Sequence, residues 1–203
     1  MSEEPEVRRG LVASELAAEH PGLWLAWTDV VAAPEPTPPE LRDRLRALAD
    51  RMRGPQAIAL RSREVPHLYR VFCRHVGLDP DVDRTPVEAV TLRRITEGGL
   101  RPRGLVDDAL TVAVLETGIG VVAFDADRVV GAPSLRTAAD RIVVADEEGP
   151  LAPLFGDPLN RAAVHRRTRR IALVAVGVPN VAELFVEEAL WIAWDILNVN
   201  PAG

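Results

Sequence analysis

Short apolar runs separated by turn residues dominate the second half of the chain, and they restrict its fold more than any other feature. The runs occupy residues 121–124, 133–137, 142–145 and 171–176. Apolar runs of this length, bounded by Gly, Pro or Asp, predict β-strands. Residues 23–31, which follow Pro21-Gly22 and are rich in Trp and Val, predict one more strand.

Helix start signals recur before and after these strands. Thr37-x-x-Glu40, Thr85-x-x-Glu88 and Asn180-x-x-Glu183 each match the reciprocal capping pattern, in which two side chains satisfy amides of the first turn. The signals predict helices over residues 38–53, 86–97 and 180–198. Apolar periodicity predicts two more helices, over residues 65–76 and 105–117. Glycines follow two of these helices, at Gly98-Gly99 and Gly118, and Gly54-Pro55 stops the first.

The order of these elements predicts an α+β fold, with most helices first, most strands later and one closing helix. Residues 11–20 are interpreted as a short helix or an irregular lead-in. We expect one domain over residues 1–203. It comprises a lead-in over residues 1–60, a core over about residues 66–177 and a C-terminal helix over about residues 180–198.

Composition excludes several classes of function. All 24 basic residues are Arg, so no lysine is present to form a Schiff base, and 30 acidic residues give a net charge of -6. An acidic protein does not attract polyanions through its overall field, so nucleic-acid binding would require a local basic patch. The lone Cys73 forms no internal disulfide, and the sequence predicts neither a secretory signal nor a membrane span. We therefore expect a cytoplasmic protein without a membrane partner.

Known cofactor and metal motifs are absent from the sequence. It contains no phosphate loop, dinucleotide fingerprint or nucleophile elbow, and the spacing of Cys73, His75 and His67 matches no metal site. We expect neither a cofactor nor a bound metal.

One basic patch and one aromatic pair are candidate interaction sites. The segment 161–170 contains five arginines and no acid; it fits either tRNA phosphates or a solvated loop that pairs with acids elsewhere. These arginines are Arg161, Arg166, Arg167, Arg169 and Arg170. Trp191 and Trp194 share one side of the last helix, where core packing or a contact between two copies of the chain is favoured over base stacking.

An ordered series of short motifs runs from LRP at 100–102 through LVDD, LETG and AFDAD to IVVAD at 142–146, LA at 151–152, Gly156, Thr168 and Ile171. The series resembles the B3/B4 editing module of the phenylalanyl-tRNA synthetase β subunit, and together with residues 77–94 it covers about half the chain. The family reads RP, VVD, TNY, LELGQPxHAFD, an IAD strand, an A-G-x-x-G loop and T-x-x-ILLE. A similar upstream segment, with GLDP at 77–80 and Arg93-Arg94, is typical of stand-alone B3/B4 proteins.

The resemblance implies a three-layer fold with a β-sandwich of unusual topology flanked by helices. It also implies a pocket that hydrolyses mischarged tRNA, notably tyrosine on a phenylalanine tRNA. Matched position by position, the implied pocket comprises Asp108 (with Asp107 as the competing choice), Thr111, Val122, Ala152, Gly156 and Val174. Asp107 and Asp108 are then the candidate catalytic carboxylates, and backbone amides around Gly156 the candidate oxyanion donors.

Two family positions that carry chemistry are apolar in this chain. The family's His before Ala-Phe-Asp corresponds to Val122, and the Glu that reads the tyrosine hydroxyl corresponds to Val174. Neither the family's His nor its tyrosine-reading Glu is therefore expected. Three hypotheses follow: a pocket for a small apolar amino acid, a related metabolite or an aminoacyl-tRNA end without the tyrosine-editing arrangement; a trans-editing hydrolase of mischarged aminoacyl-tRNA; and an interaction module.

Overall fold

The computed structural model describes residues 4–52, 59 and 62–199 and has mixed helices and strands in an α+β arrangement with two four-stranded sheets. Its helices are α1 (Ser14–Glu19), α2 (Pro39–Arg51), α3 (Glu64–His75), α4 (Pro86–Glu97), α5 (Leu105–Thr117) and α6 (Glu183–Asn198). Its strands are β1 (Arg8–Arg9), β2 (Leu11–Val12), β3 (Trp24–Val31), β4 (Val121–Asp125), β5 (Ser134–Ala138), β6 (Arg141–Ala145), β7 (Pro150–Pro153) and β8 (Arg170–Gly177).

The first sheet has the order β1-β3-β8-β4, with every neighbouring pair antiparallel. The second sheet has the order β2-β5-β6-β7; β2 runs parallel to β5, and the other pairs are antiparallel. The chain passes from the first sheet to the second at Gly10. A Cβ atom there would collide with the Pro133 carbonyl oxygen and with Leu25, so this crossing requires glycine.

One hydrophobic cluster joins both sheets to helices α2 to α6. Leu25 and Leu173 contribute to it from the first sheet, Leu135 and Leu151 from the second, and Leu190 from α6. Strand β8 is buried along seven of its eight residues, which accounts for the unbroken apolar run in its sequence. The first sheet thus forms the centre of the core.

Most predicted elements are confirmed, and the differences have local causes. Thr85 and Glu88 form the reciprocal cap of α4, and Gly98 ends that helix in the left-handed conformation. The cap predicted for α2 is wrong, because the Thr37 hydroxyl donates to the distant Asp108 and α2 begins without a side-chain cap. The cap predicted for α6 is also wrong: Asn180 is left-handed with φ 68°, and the helix begins after Ala182.

Three strands carry too little local signal to be predicted. Strands β1 and β2 are only two residues long; β1 precedes the segment 11–20, interpreted as a short helix or irregular lead-in, and β2 lies at its start. Strand β7 begins and ends with proline, which is compatible with its position at the edge of the second sheet. The predicted stop of α2 at Gly54-Pro55 lies outside the described residues.

Candidate functional site

A cavity of about 530 Å³ lies between the first sheet, helices α4 and α5, and the segment 153–158. Strands β4 and β8 supply one wall, where Val122 pairs directly with Val174. Alternate residues of a strand face the same side of the sheet. Val176 of β8 accordingly joins Val174 in the lining, and α5 closes the opposite wall with Val106, Leu110 and Val114. The interior of the cavity is therefore mostly aliphatic.

Four of the six residues predicted for the pocket lie together in this lining: Thr111, Val122, Gly156 and Val174. Ala152 does not line the cavity, because β7 pairs with β6 at this point and the side chain is buried in the core. Asp108 does not line the cavity either, whereas Asp107, the competing choice, does.

Asp108 links residues 35–37, which belong to the proline-rich segment 34–39, to the start of α5. Its side chain is 1% exposed and accepts hydrogen bonds from the Thr37 hydroxyl at 2.5 Å and from the Arg103 amide at 3.1 Å. The Thr37 oxygen in turn accepts the Gly104 amide at 3.1 Å, and the Leu105 amide donates to the Glu35 carbonyl at 2.8 Å. These contacts satisfy amides at and before the helix N-terminus, so Asp108 has a structural role.

Charged groups of both signs lie at the solvent-exposed rim of the cavity, its entrance, where Arg93 is half-buried and Arg103, Asp107 and Asp157 are exposed. Arg93, Arg103, Asp107 and Asp157 are the four charged residues in its lining. Arg93 donates to the Thr111 hydroxyl at 2.9 Å, and Arg103 pairs with Glu97 outside the cavity at 2.5 Å. The entrance thus offers two guanidinium and two carboxylate groups above an apolar interior.

Desolvation next to the cavity wall raises the pKa of Asp107, and the adjacent Asp108 carboxylate adds to this shift. Arg103 and Arg93 act in the opposite direction, because a nearby positive charge favours the ionised carboxylate. Asp107 is therefore a carboxylate whose protonation responds to charges brought near it, including those of a ligand.

Few groups in the cavity can activate water or stabilise an oxyanion. The described lining contains no His, Cys or Ser, and the positions matched to the family's His and Glu are the valines of the sheet wall. The Gly156 amide, a candidate oxyanion donor, already donates to the Pro153 carbonyl at 2.9 Å. Asp107 remains as the candidate base. The arrangement is better suited to holding a ligand than to cleaving one.

Three of the five arginines predicted to bind RNA are engaged within the protein. Arg161 pairs with the buried Asp146 and donates to the Pro150 carbonyl at 2.9 Å. Arg169 donates to the Thr168 carbonyl at 2.9 Å, and Arg170 pairs with Asp127 at 3.2 Å. In the part of the chain that the structure describes, the remaining pair, Arg166 and Arg167, makes no side-chain hydrogen bond or ion pair.

The two tryptophans of α6 occupy different environments. Trp194 is 7% exposed, packs in the core and donates its indole N–H to the Asp29 carbonyl at 3.1 Å. Trp191 is 48% exposed, and Leu184 and Phe185 on the same helix are exposed as well. Core packing holds for Trp194 alone, and a contact between copies through α6 stays a prediction that would involve Trp191.

Sequence reasoning missed three residues of the entrance: Arg103 and Asp157 entirely, and Arg93 except as part of the upstream resemblance. They come from three separate segments that meet only in the folded chain, so no local pattern marks them as a group. No protein-family model matches the chain, and no curated protein matches it. Among the described residues, no helix has the length and apolar content required to cross a membrane.

Proposed function

We propose that the protein binds a small apolar amino acid as a free zwitterion in this cavity, as a stand-alone protein of the B3/B4 type. The observation that carries the proposal is the pairing of a two-sign charged entrance with an aliphatic interior. Pockets for small molecules are commonly built in this way, with a few convergent polar groups that fix orientation on apolar walls.

Each part of a free amino acid has a complementary group in the cavity. The α-carboxylate matches the guanidiniums of Arg93 and Arg103, and the ammonium matches the carboxylates of Asp107 and Asp157. The side chain then contacts Val122 and Val174 on the sheet wall. Burial of a leucine-sized side chain contributes about 1.5–3 kcal/mol to such binding.

The valine wall favours an aliphatic or phenyl side chain over one that ends in a hydroxyl. Val122 and Val174 offer no hydrogen-bond partner, so a phenol hydroxyl placed against them would be desolvated without compensation. Among apolar and aromatic amino acids, tyrosine is therefore disfavoured as a ligand of this cavity. As part of the same proposal, we assign the protein to the cytoplasm, because its single cysteine is buried and free.

Calorimetric titration with leucine and with leucinamide tests whether a free carboxylate is recognised. The amide keeps the ammonium and the side chain but lacks the negative charge. We expect leucine to bind about tenfold to a hundredfold more tightly than leucinamide, because a hydrogen bond to a charged group is worth about 1.5–3 kcal/mol. In Arg93→Gln this preference should shrink, whereas Arg167→Gln, a free arginine outside the cavity, should keep it.

Equal binding of the two ligands by the wild-type protein would contradict recognition of a free carboxylate. It would favour a ligand whose carboxyl group is esterified, such as the aminoacyl end of a tRNA. Absence of binding for leucine, isoleucine, methionine and phenylalanine alike would refute the proposal as a whole.

A trans-editing hydrolase is the second candidate, and the raised pKa of Asp107 is the observation that favours it. A carboxylate with a raised pKa is a better general base near neutral pH. Arg166 and Arg167, the two arginines of the 161–170 segment without a side-chain partner among the described residues, would then contact tRNA phosphates. Asp107→Asn should lower deacylation of a mischarged tRNA by about a hundredfold or more. Failure of the wild type to exceed the uncatalysed rate across a panel of mischarged tRNAs would exclude this candidate.

A further inference from the structure

A second cavity, of about 400 Å³, lies on the other side of the segment 153–156. It is enclosed by the C-terminal ends of α1 and α3, by the loop that precedes α4, and by the β5–β6 hairpin. Pro153, Phe155 and Gly156 line both cavities, so this segment is a shared wall. Nothing in the proposed function uses the second cavity.

Opposite charges meet in the second cavity without neutralising one another. Asp83 and Arg84 come from the loop, and Asp140 and Arg141 come from the hairpin. Within the described residues, neither arginine makes an ion pair or a side-chain hydrogen bond, and neither aspartate makes an ion pair. The Asp83 carboxylate accepts only a long hydrogen bond, of 3.3 Å, from the Asp79 amide. The fold therefore brings both signs of charge to one cavity and leaves them available to a ligand.

One histidine in the same lining, His20, is also incompletely satisfied. His20 is 7% exposed, and its Nδ1 atom has no hydrogen-bond partner among the described residues. Its ring lies 5.6 Å from that of His75, edge to face, and its Nε2 atom lies 3.8 Å from a Glu19 oxygen. Buried polar atoms usually have partners, so the His20 Nδ1 atom is a polar group that the described protein leaves unsatisfied.

We propose that the second cavity binds a polar zwitterion: a small molecule with an ammonium and an anionic group on a polar body. Two guanidiniums would complement its anionic end, and the carboxylates of Glu19, Asp83 and Asp140 its ammonium. A simple anion is disfavoured by the three carboxylates, and a simple cation by the two guanidiniums. Half of the lining residues are polar or charged, so the ligand is more polar than that of the first cavity.

The experiment is a titration of the 15N-labelled full-length protein with polar amino acids one at a time, followed by NMR. Glutamine, glutamate, histidine, serine and arginine serve as probes at millimolar concentration, with sodium chloride at matched ionic strength as the blank. The variants are Arg84→Gln and Arg141→Gln, whose side chains have no partner to lose in the described structure. Arg93→Gln reports on the first cavity, and Arg167→Gln is the control for loss of a surface charge.

We expect at least one probe to shift the amide signals of residues 83–84 and 140–142 in the wild type. Its affinity should fall about tenfold or more in both Arg84→Gln and Arg141→Gln, since each removes a charged hydrogen-bond donor. It should be unchanged in Arg93→Gln and Arg167→Gln. If Arg93→Gln loses leucine binding, the binding of the polar probe to the second cavity should be unaffected. The proposals for the two cavities are therefore tested independently.

Two results would overturn the proposal. One is the absence of any shift at these residues beyond the salt blank for all five probes. The other is binding that persists at full affinity in both Arg84→Gln and Arg141→Gln. A ligand that requires Arg93 would instead belong to the first cavity.

Discussion

Replacement of Asp108 by Asn separates the structural role of this carboxylate from a catalytic one. The Asp108 carboxylate is 1% exposed and accepts hydrogen bonds from the Thr37 hydroxyl and the Arg103 amide. Asparagine keeps the shape but loses the charge, and its NH₂ group would face one of the two donors. Loss of a charged hydrogen bond costs about 1.5–3 kcal/mol, and loss of a negative charge in the first turn of α5 costs about 0.3–1 kcal/mol more.

The expected loss in the free energy of unfolding is therefore about 2–4 kcal/mol. For a domain of this size, that corresponds to a fall in Tm of about 4–16 °C. The assay is thermal and urea unfolding followed by circular dichroism, with leucine binding measured well below Tm. The matched control is Asp107→Asn, an exposed residue whose replacement should change stability by only about 0.5 kcal/mol but weaken leucine binding.

A reversed pattern would refute this reasoning. If Asp108→Asn kept its stability and lost ligand binding, Asp108 would belong to the site and the Thr37 contact would be incidental. Equal effects of both variants on stability and binding would likewise contradict the separate roles assigned to the two aspartates.

Two further predictions concern the arginine cluster. Burial of Asp146 opposes ionisation, but hydrogen bonds from the Val130 amide, Arg161 and the amides of residues 148–149 lower its pKa below the ordinary value. The resulting stabilisation is complete above the unfolded pKa of about 3.9 and is lost as the pH falls toward the folded pKa. Arg161→Gln should therefore lower the free energy of unfolding by about 2–3 kcal/mol at neutral pH, as measured by urea unfolding. The difference in stability between the wild type and the variant should narrow below about pH 4, and a difference that widens in acid would contradict this prediction. If tRNA binds, the double variant Arg166→Gln/Arg167→Gln should have a lower affinity for all tRNAs alike. In filter-binding assays, the slope of log affinity against log salt concentration should fall in magnitude by about 2. An unchanged slope would exclude these two residues as phosphate contacts.

Local sequence signals predicted the fold where the responsible contacts are local. Thr85 and Glu88 are three residues apart and cap α4 as their spacing predicts. Thr37 and Glu40 have the same spacing, yet Thr37 contacts Asp108, which is 71 residues away. A tertiary hydrogen bond to a buried charge outweighs a cap exposed to water, and no pattern around Thr37 signals it. The two-residue strands β1 and β2 were not predictable for the same reason, since each pairs with a strand that is distant in sequence.

The apolar wall of the site was predictable, but the charged entrance was not. Val122 and Val174 lie on strands with clear apolar runs, and the resemblance placed both in one pocket, where the structure also brings them together. Arg93, Arg103 and Asp157 lie on α4, before α5 and after β7, so only the packing of these elements brings them together. Asp107 and Asp108 are adjacent in sequence, and only the helical turn decides which of them faces the cavity.

The most direct test of the amino-acid pocket is an NMR titration of the 15N-labelled wild-type protein with leucine. We expect saturable shifts that are largest for the amides of Thr111, Val122, Gly156 and Val174, which line the first cavity. The same titration of Arg93→Gln should require about tenfold or more leucine to reach the same shifts. Shifts confined to other surfaces, or none at millimolar leucine, would contradict the proposed amino-acid pocket.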